Sequence, residues 1–534
     1  MKLNYKRVIF VGFAFFLITA FWQAYDTIVP KILTDKFGLS QAVSGAIMAL
    51  DNVFALFLLP IFGAISDKVS TKFGKRTPFI VLGAVVAAVL LVSLSIPDNA
   101  QLSHIGAAAE VTNAEGGDGY TEGLGEIWDA NPKVTPWATD SVLNEKQPLQ
   151  TLITREEFTA IQMTVTDAEG NAVANPTYTN VVVPARQAFA ALATAKNATP
   201  LIVFMVLLFF TLVAMGTFRS PAVALMPDVT IKPLRSKANA VINLMGTAGG
   251  ILVLLLGTVL GTGKAANALM SYTTFFAIVA GIMLVGLAIF IWKVREPAWA
   301  AEMQAETERL GLDQPAEPTD APTEVRKLSK GEKLSLALIL ISVVFWFMGY
   351  NAVTSKYSVY ASTVLNVDYN TTLLIAQAAA IVAYLPVGIL SSKLGRKKMI
   401  LGGVVILGAS FFFASFLSAE SPDPVKQILM PLLFALAGIG WATINVNSYP
   451  LVVELSRGSN VGKYTGFYYT ASMAAQVVTP ILSGVFLDMN FRTLFPYATV
   501  FVALAFLTMF FVRHGDSKPE AKQVALDAAG GGDD

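Results

Sequence analysis

The sequence predicts an all-α integral membrane protein with 12 transmembrane helices in two six-helix bundles, and three observations carry that prediction. Hydrophobic residues fill 54% of the 534 positions and charged residues only 14%, too apolar and too charge-poor for a soluble chain of this length. Apolar runs able to cross about 30 Å of hydrocarbon recur through the chain. A basic hairpin between two such runs, Gly63 to Pro78, is echoed by a second at Gly388 to Lys398.

The first six runs are Val8–Val29, Ala42–Phe62, Phe79–Ile96, Leu201–Phe218, Ala238–Leu260 and Tyr272–Trp292. Lys2 to Arg7 ahead of an apolar stretch resembles a secretory signal, but the stretch continues to Val29 without a small-residue cleavage site. It is therefore the first membrane helix. The second six are Leu334–Asn351, Leu373–Leu390, Met399–Leu417, Ile428–Val446, Tyr464–Phe486 and Leu494–Val512. Residues 1–97 and 200–293 form the N-terminal bundle, and 334–513 the C-terminal one.

Three segments interrupt the rhythm. Residues 98–199 are an acidic, extracytoplasmic insertion between helices three and four, either a small ordered cap or a mostly disordered loop. Within it Arg155–Ile161 reads as a helical piece, and Met163–Asn171 with Thr177–Val183 as a hairpin turning at Gly170 and Asn171. Residues 294–333, rich in Ala, Glu and Pro, read as a solvated cytoplasmic linker. Residues 514–534 read as a disordered cytoplasmic tail.

Charge matters here by position. The net charge of +1 leaves no basic excess for nucleic acid, and the absence of cysteine excludes disulfides and thiolate metal sites. No other metal-ligand cluster, cofactor motif, phosphate loop or nucleophile–base set is visible, so an enzyme is not expected. Short outer loops hold only Lys31, Lys36, Lys264, Lys356, Lys426 and Arg492, and the remaining short segments are far more basic. That bias places both termini in the cytoplasm of a protein of the cytoplasmic membrane, which is expected to be a monomer.

The hairpins read as a cytoplasmic gate. Gly63 and Gly74 let two helices approach, Asp67 can face a positive helix N-terminus, and Lys68 and Arg76 stay in the cytosol. Asp67 is expected to oppose the start of helix eleven, near Gly462 to Tyr464, with Arg76 and Arg219 close by. The halves echo one another further: Asp228 follows helix four with Lys237 nine residues on, and Glu454 follows helix ten with Lys463 nine residues on. Parallel repeats of this kind place a substrate site near the midplane.

These residues carry a family resemblance. Ser66-Asp67-Lys68, then Lys72 to Arg76 and Pro78-Phe79-Ile80, resemble the longer form of the major facilitator superfamily signature, as found in sucrose carriers and glycoside-pentoside-hexuronide cation symporters. The stretch from Arg219 through Pro221 to Asp228 is similar to the sucrose-carrier segment P-x-R-A-L-L-x-D. The resemblance implies a twelve-helix carrier for a sugar or glycoside. It also has gaps: the acidic residue of sucrose carriers in helix four falls at Leu212, and the helix-two acids of melibiose-type carriers fall at Ala55 and Leu59. In the second hairpin Ser392 replaces the Asp, so a gate latch on that side, through Arg396 and Glu454, must be weaker or built differently.

Coupling residues are sought among ionisable groups at membrane depth, where each is costly. Asp51, near the middle of helix two, and Asp26, in the outer third of helix one, are the candidates for H⁺ (or Na⁺) coupling. His104 and His514 lie outside the membrane, which excludes a histidine relay. A sugar site needs flat aromatics and amides, and pairs at i, i+4 offer them: Trp22 with Asp26, Trp346 with Tyr350, Trp441 with Asn445. Gln23, Tyr25, Asn351, Gln377 and Gln476 can join them. The reading is therefore a sugar–proton symporter working in the lipid bilayer. The alternatives are an exporter of amphipathic drugs or lipids, and a membrane receptor or adhesion protein working through 98–199.

Overall fold

The computed structural model describes residues 4–108, 118–135, 146–166, 172–231, 235–309, 329–418, 421–454 and 461–514. Expectations for residues 515–534 of the tail, for 310–328 of the linker and for the Gly170-Asn171 turn lie outside these. The chain divides into two compact units, Met1–Ala321 with Ala361–Asn370, and Pro322–Tyr360 with Thr371–Asp534.

The first unit holds six long helices: α1 (Tyr5–Lys31), α2 (Gln41–Lys68), α3 (Thr77–Ser93), and, beyond the insertion, α8 (Thr199–Asp228), α9 (Arg235–Leu260) and α10 (Thr273–Lys293). Helix α1 packs along α9 and α10, α3 against α8 and α10, and α2 against α8. The second unit contains α12 (Lys330–Tyr360), α13 (Tyr369–Leu394), α14 (Arg396–Ala414), α15 (Asp423–Glu454), α16 (Val461–Met489) and α17 (Leu494–Phe510). Here α12 packs along α16 and α17, and α14 against α15 and α17. Each unit thus repeats one internal packing pattern in one order, which is what two copies of a six-helix unit produce. Among the described residues 11 helices are long and apolar enough to span a membrane, and α13, at 26 residues, occupies the remaining position.

The helices outrun the apolar runs. Helix α1 continues as a π-helical turn, Ile32–Lys36, and α12 reaches Tyr360 before a matching turn at Ala361–Leu365. Lys31, Lys36 and Lys356, read as loop charges, are therefore helical and fully buried. The cause is pairing: Lys36 Nζ lies 2.6 Å from Asp98 Oδ1 and donates to the Met270 carbonyl at 2.7 Å, while Lys31 Nζ donates to the Thr262 carbonyl at 2.9 Å. Lys426, also read as a loop charge, opens α15 and pairs with Asp423 at 2.8 Å.

The described residues of the insertion form an ordered substructure, called the cap below. Helix α3 runs almost directly into α4 (Ser95–Ile105), followed by α5 (Asp118–Ala130), a strand pair β1 (Lys133–Val134) and β2 (Gln147–Pro148), α6 (Arg155–Thr159), β3 (Thr164–Thr166), β4 (Ala172–Ala174) and α7 (Val183–Lys196). Its own core gathers Tyr120, Leu124, Ile127, Leu149, Phe158 and Val182. Burying such side chains contributes about 1.5–3 kcal/mol apiece. The helical piece at Arg155 is present, with Thr154 and Glu157 forming a reciprocal capping box. The hairpin needs correction: β3 pairs with Ala172–Ala174, and Thr177–Val183 is helical. Tyr178, Val181 and Val182 enter the cap core at helical spacing, and Pro184 suits the first turn of α7. Burial outweighs the strand propensity of the valines.

The cap is riveted to α1. Gln187 donates to Asp35 Oδ1 at 2.9 Å, Arg186 lies 3.8 Å from the same oxygen, and Gln101 donates to both the Lys36 carbonyl and Thr194 at 2.9 Å. The expected linker also holds structure, since α11 (Glu296–Arg309) follows α10 after a short break.

Candidate functional site

In the N-terminal unit, α1, α2 and α8 bring together Trp22, Asp26, Asp51 and Arg219. The Arg219 guanidinium stands 5.6 Å from the centroid of the Trp22 indole and within electrostatic reach of both carboxylates. Trp22 is fixed edge-on between Phe21 and Tyr25, each 5.3 Å away. Asp26 is half-buried ten residues before the end of the 32-residue helical run Tyr5–Lys36, at the inner edge of its outer third. Asp51 Oδ1 accepts from the Asn52 backbone N–H at 2.6 Å and from Asn52 Nδ2 at 2.7 Å. Gln23 shares this end of α1, where its carbonyl accepts from Thr27 at 2.7 Å.

Two acids and one base on three helices make a site of net negative charge when both acids are ionised. Adding one proton balances it against Arg219, so protonation and local charge are linked. Trp22 Nε1 and the Tyr25 hydroxyl, though buried, have no hydrogen-bond partner among the described residues. Leaving a buried donor unpaired costs about 1–3 kcal/mol, so such groups mark where a polar ligand or water is received. Arg219, read from sequence as a gate residue, therefore stands with the coupling candidates. Its signal was available: a lone arginine two-thirds of the way along a 30-residue apolar helix.

The C-terminal unit supplies aromatics and amides. Tyr350 and Trp441 stack at 3.7 Å with an interplanar angle of 1°, and Phe347 meets the indole edge-on at 5.2 Å. Tyr350, Asn351, Gln377, Trp441, Asn445 and Gln476 are all half-buried. Asn351 Nδ2 has no partner among the described residues, and Gln476 Nε2 donates to the Ser472 carbonyl at 3.3 Å. Trp346 is fully buried on the face of α12 that also carries Ile339 and Val343, and its Nε1, like that of Trp22, has no hydrogen-bond partner among the described residues.

The first hairpin is a tight charged knot. Arg76 is buried and pairs with Asp67, with Asp228 Oδ2 at 2.8 Å, and with the Ser66 hydroxyl, while its Nη1 lies 3.4 Å from the Gly63 carbonyl. Burial pulls the guanidinium pKa down, and the bonds and charges of Asp228 and Asp67 outweigh that and hold it above its ordinary value. Glu296, missed in the sequence, accepts from the backbone N–H groups of Lys75 (2.7 Å), Arg76 (2.9 Å) and Thr77 (2.8 Å), and so caps α3 with a carboxylate. An acid just before a proline after a membrane helix was the available signal. Gly74 makes this possible: its φ is +110°, and a Cβ there would sit 2.2 Å from the Glu296 carboxyl carbon.

Asp67 and Lys68 are exposed. The side chains of Gly462 to Tyr464, expected opposite Asp67, and of Glu454 lie outside the described residues. Asp228 and Glu454 each end their helices, α8 and α15, in keeping with the repeat. In the second hairpin Gly395, at φ 90°, turns the chain into α14, and Arg396 is half-buried in its first turn.

A multi-pass membrane protein with twinned six-helix units, a charged hairpin and polar groups at membrane depth is built as a carrier. The family model of the Major Facilitator Superfamily matches residues 185–383 and 370–529, and a second, for MFS/sugar transport proteins, matches residues 10–109. The chain belongs to the Major Facilitator Superfamily. Its fold resembles the inward-open xylose transporter XylE of E. coli (16% identity, 98% of this chain and 100% of that chain, TM-score 0.53). It also resembles the nucleoside transporter NupG (12%, 95% and 100%, 0.51) and a POT family transporter in complex with a thioalcohol-conjugated peptide (10%, 95% and 95%, 0.54). At these identities the likeness shows the fold alone. An uncharacterised MFS-type transporter of Methanocaldococcus jannaschii is 30% identical over 129 residues, a match covering 24% of this chain and 30% of that relative's length.

Proposed function

We propose that this transporter carries a sugar or glycoside together with a proton by alternating access, with Asp51 as the main proton carrier and Asp26 as the second. The observation that carries the reading is the group Asp26, Asp51 and Arg219 around Trp22 at membrane depth. A carboxylate that takes up a proton there removes a charge the low-dielectric interior opposes, and water access on alternate sides loads and unloads it. Trp22, Tyr25 and Gln23 in one unit, and Tyr350, Asn351, Gln377, Trp441, Asn445 and Gln476 in the other, supply ring faces and amides suited to a hydroxyl-rich ligand. The hairpin of Gly63, Asp67, Lys68, Gly74 and Arg76, closed by Asp228, acts as a gate on its side of the membrane, and Arg396 with Glu454 as its counterpart.

The sugar-transport match over residues 10–109 supports this substrate class, and pentoses and nucleosides belong in the test panel because XylE and NupG are named as their transporters. One observation favours carriage of an apolar or aromatic compound instead: Trp441 already has a ring stacked on one face, which removes that face from a pyranose. Uptake of a labelled panel by proteoliposomes, with and without an imposed pH gradient, decides. Gradient-driven accumulation of a sugar supports the proposal; gradient-independent movement of aromatic compounds alone refutes it.

A further inference from the structure

The two units differ in one place where their packing otherwise matches. In the N-terminal unit α2 lies along α8, with Leu58 packed onto Gly216. In the C-terminal unit the equivalent helix, α13, meets α15 closely at Gly438, where a Cβ would sit 2.2 Å from the Ala376 carbonyl oxygen. Elsewhere α13, α14 and α15 enclose a groove of about 820 Å³.

That groove belongs to a different face of α13 from the substrate candidates. Gln377 and Tyr384 lie seven residues apart on one face, and Tyr384 is within electrostatic reach of Tyr350. The groove wall is the opposite face, including Ala379, Val382, Pro386 and Leu390. Val382 is 73% exposed and Leu394 51%. In a chain that crosses a bilayer, exposed aliphatic side chains meet hydrocarbon, and an apolar slot open to hydrocarbon gains dispersion contacts when a chain fills it. Among the described residues, two polar ones line it. Thr443 donates its hydroxyl to the Ile439 carbonyl at 2.7 Å. Lys398 is exposed in the first turn of α14 and makes no ion pair among the described residues. Its neighbour Lys397 instead caps the end of α17 through the Phe510 and Val512 carbonyls.

We propose that this groove is a lipid site, holding an acyl chain of an anionic phospholipid whose phosphate is bound by Lys398. A slot whose described lining is apolar but for Thr443 and one cation without an ion pair at a helix start matches an amphiphile with one negative head.

Native mass spectrometry of the full-length protein released from detergent, with phosphatidylglycerol or phosphatidylcholine added, tests this. Phosphatidylglycerol should be retained about fivefold over phosphatidylcholine, the selectivity one lysine near a headgroup provides. Lys398→Gln should abolish that preference and leave weak retention of both. Gly402→Phe, at a position where a Cβ meets nothing within 4 Å, should displace both lipids. Ala379→Trp fills the same slot from the facing wall, and thermal unfolding confirms which variants fold. Equal retention of the two lipids by the unaltered protein, retention unchanged in the folded groove-filling variants, or a dimer split by them would each overturn the assignment.

Discussion

The N-terminal unit concentrates buried charge, whereas the C-terminal unit, which also buries Lys356 and Lys426, the latter paired with Asp423, relies more on rings and hydroxyls. In the first, Lys36 with Asp98, Arg76 with Asp67 and Asp228, and Glu296 on the start of α3 fix the ends of helices, and Asp26, Asp51 and Arg219 occupy the interior. In the second, Tyr350 on Trp441, Tyr357 on Phe434, Ser342 with Thr508 and Ser448 with Tyr468 do the corresponding work. A charge at membrane depth tolerates little misplacement, because a lost partner leaves it uncompensated, whereas a displaced ring loses only contact area. One repeated scaffold therefore carries two differently furnished halves.

The comparison breaks first at the buried pair. Asp98→Asn leaves buried Lys36 without its direct counter-ion, and should cost about 3–5 kcal/mol, read by unfolding in detergent. The double variant Lys36→Met with Asp98→Leu should recover most of that. If the single change is silent, buried charge does not organise this end of the unit. Next comes the hairpin. Gly74→Ala forces a side chain into a left-handed backbone and against Glu296, and should cost about 1–3 kcal/mol. It should also raise the accessibility of a cysteine placed near the hairpin. In the C-terminal unit, Trp441→Ala should raise KM by about tenfold while the number of protons moved per solute stays fixed, consistent with a stacked pair contributing about 0.5–1.5 kcal/mol. A changed stoichiometry there would put coupling in both halves. The smallest effect belongs to the cap: Thr154→Ala removes half of a surface capping box and should loosen α6 in hydrogen exchange with transport unaltered.

Much of this architecture was legible because hydrophobic length is a strong signal. The spans, the order of the two repeats and the helical piece at Arg155 follow from local patterns. What local patterns miss is compensation at a distance. Lys36 reads as a loop residue until Asp98, 62 positions away, is known to face it. Thr177–Val183 reads as a strand because its valines favour one, and becomes helical only because the cap core takes them at helical spacing. Trp346 illustrates the converse, since an i, i+4 pairing with Tyr350 says that two residues share a side of a helix and not that both are equally buried. Arg219 was visible as a lone charge, but its neighbours Trp22, Asp26 and Asp51 come from two other helices.

The central claim is that the N-terminal carboxylates couple transport to protons while the solute can still be carried without them. Proteoliposomes holding Asp51→Asn should be assayed in two modes, accumulation under an imposed pH gradient and exchange between equal solute pools. Accumulation should vanish and exchange should survive, because exchange requires only that the loaded protein reorient. The same split in Asp26→Asn alone would move the main role to α1. Gradient-driven accumulation persisting in both variants would contradict the account.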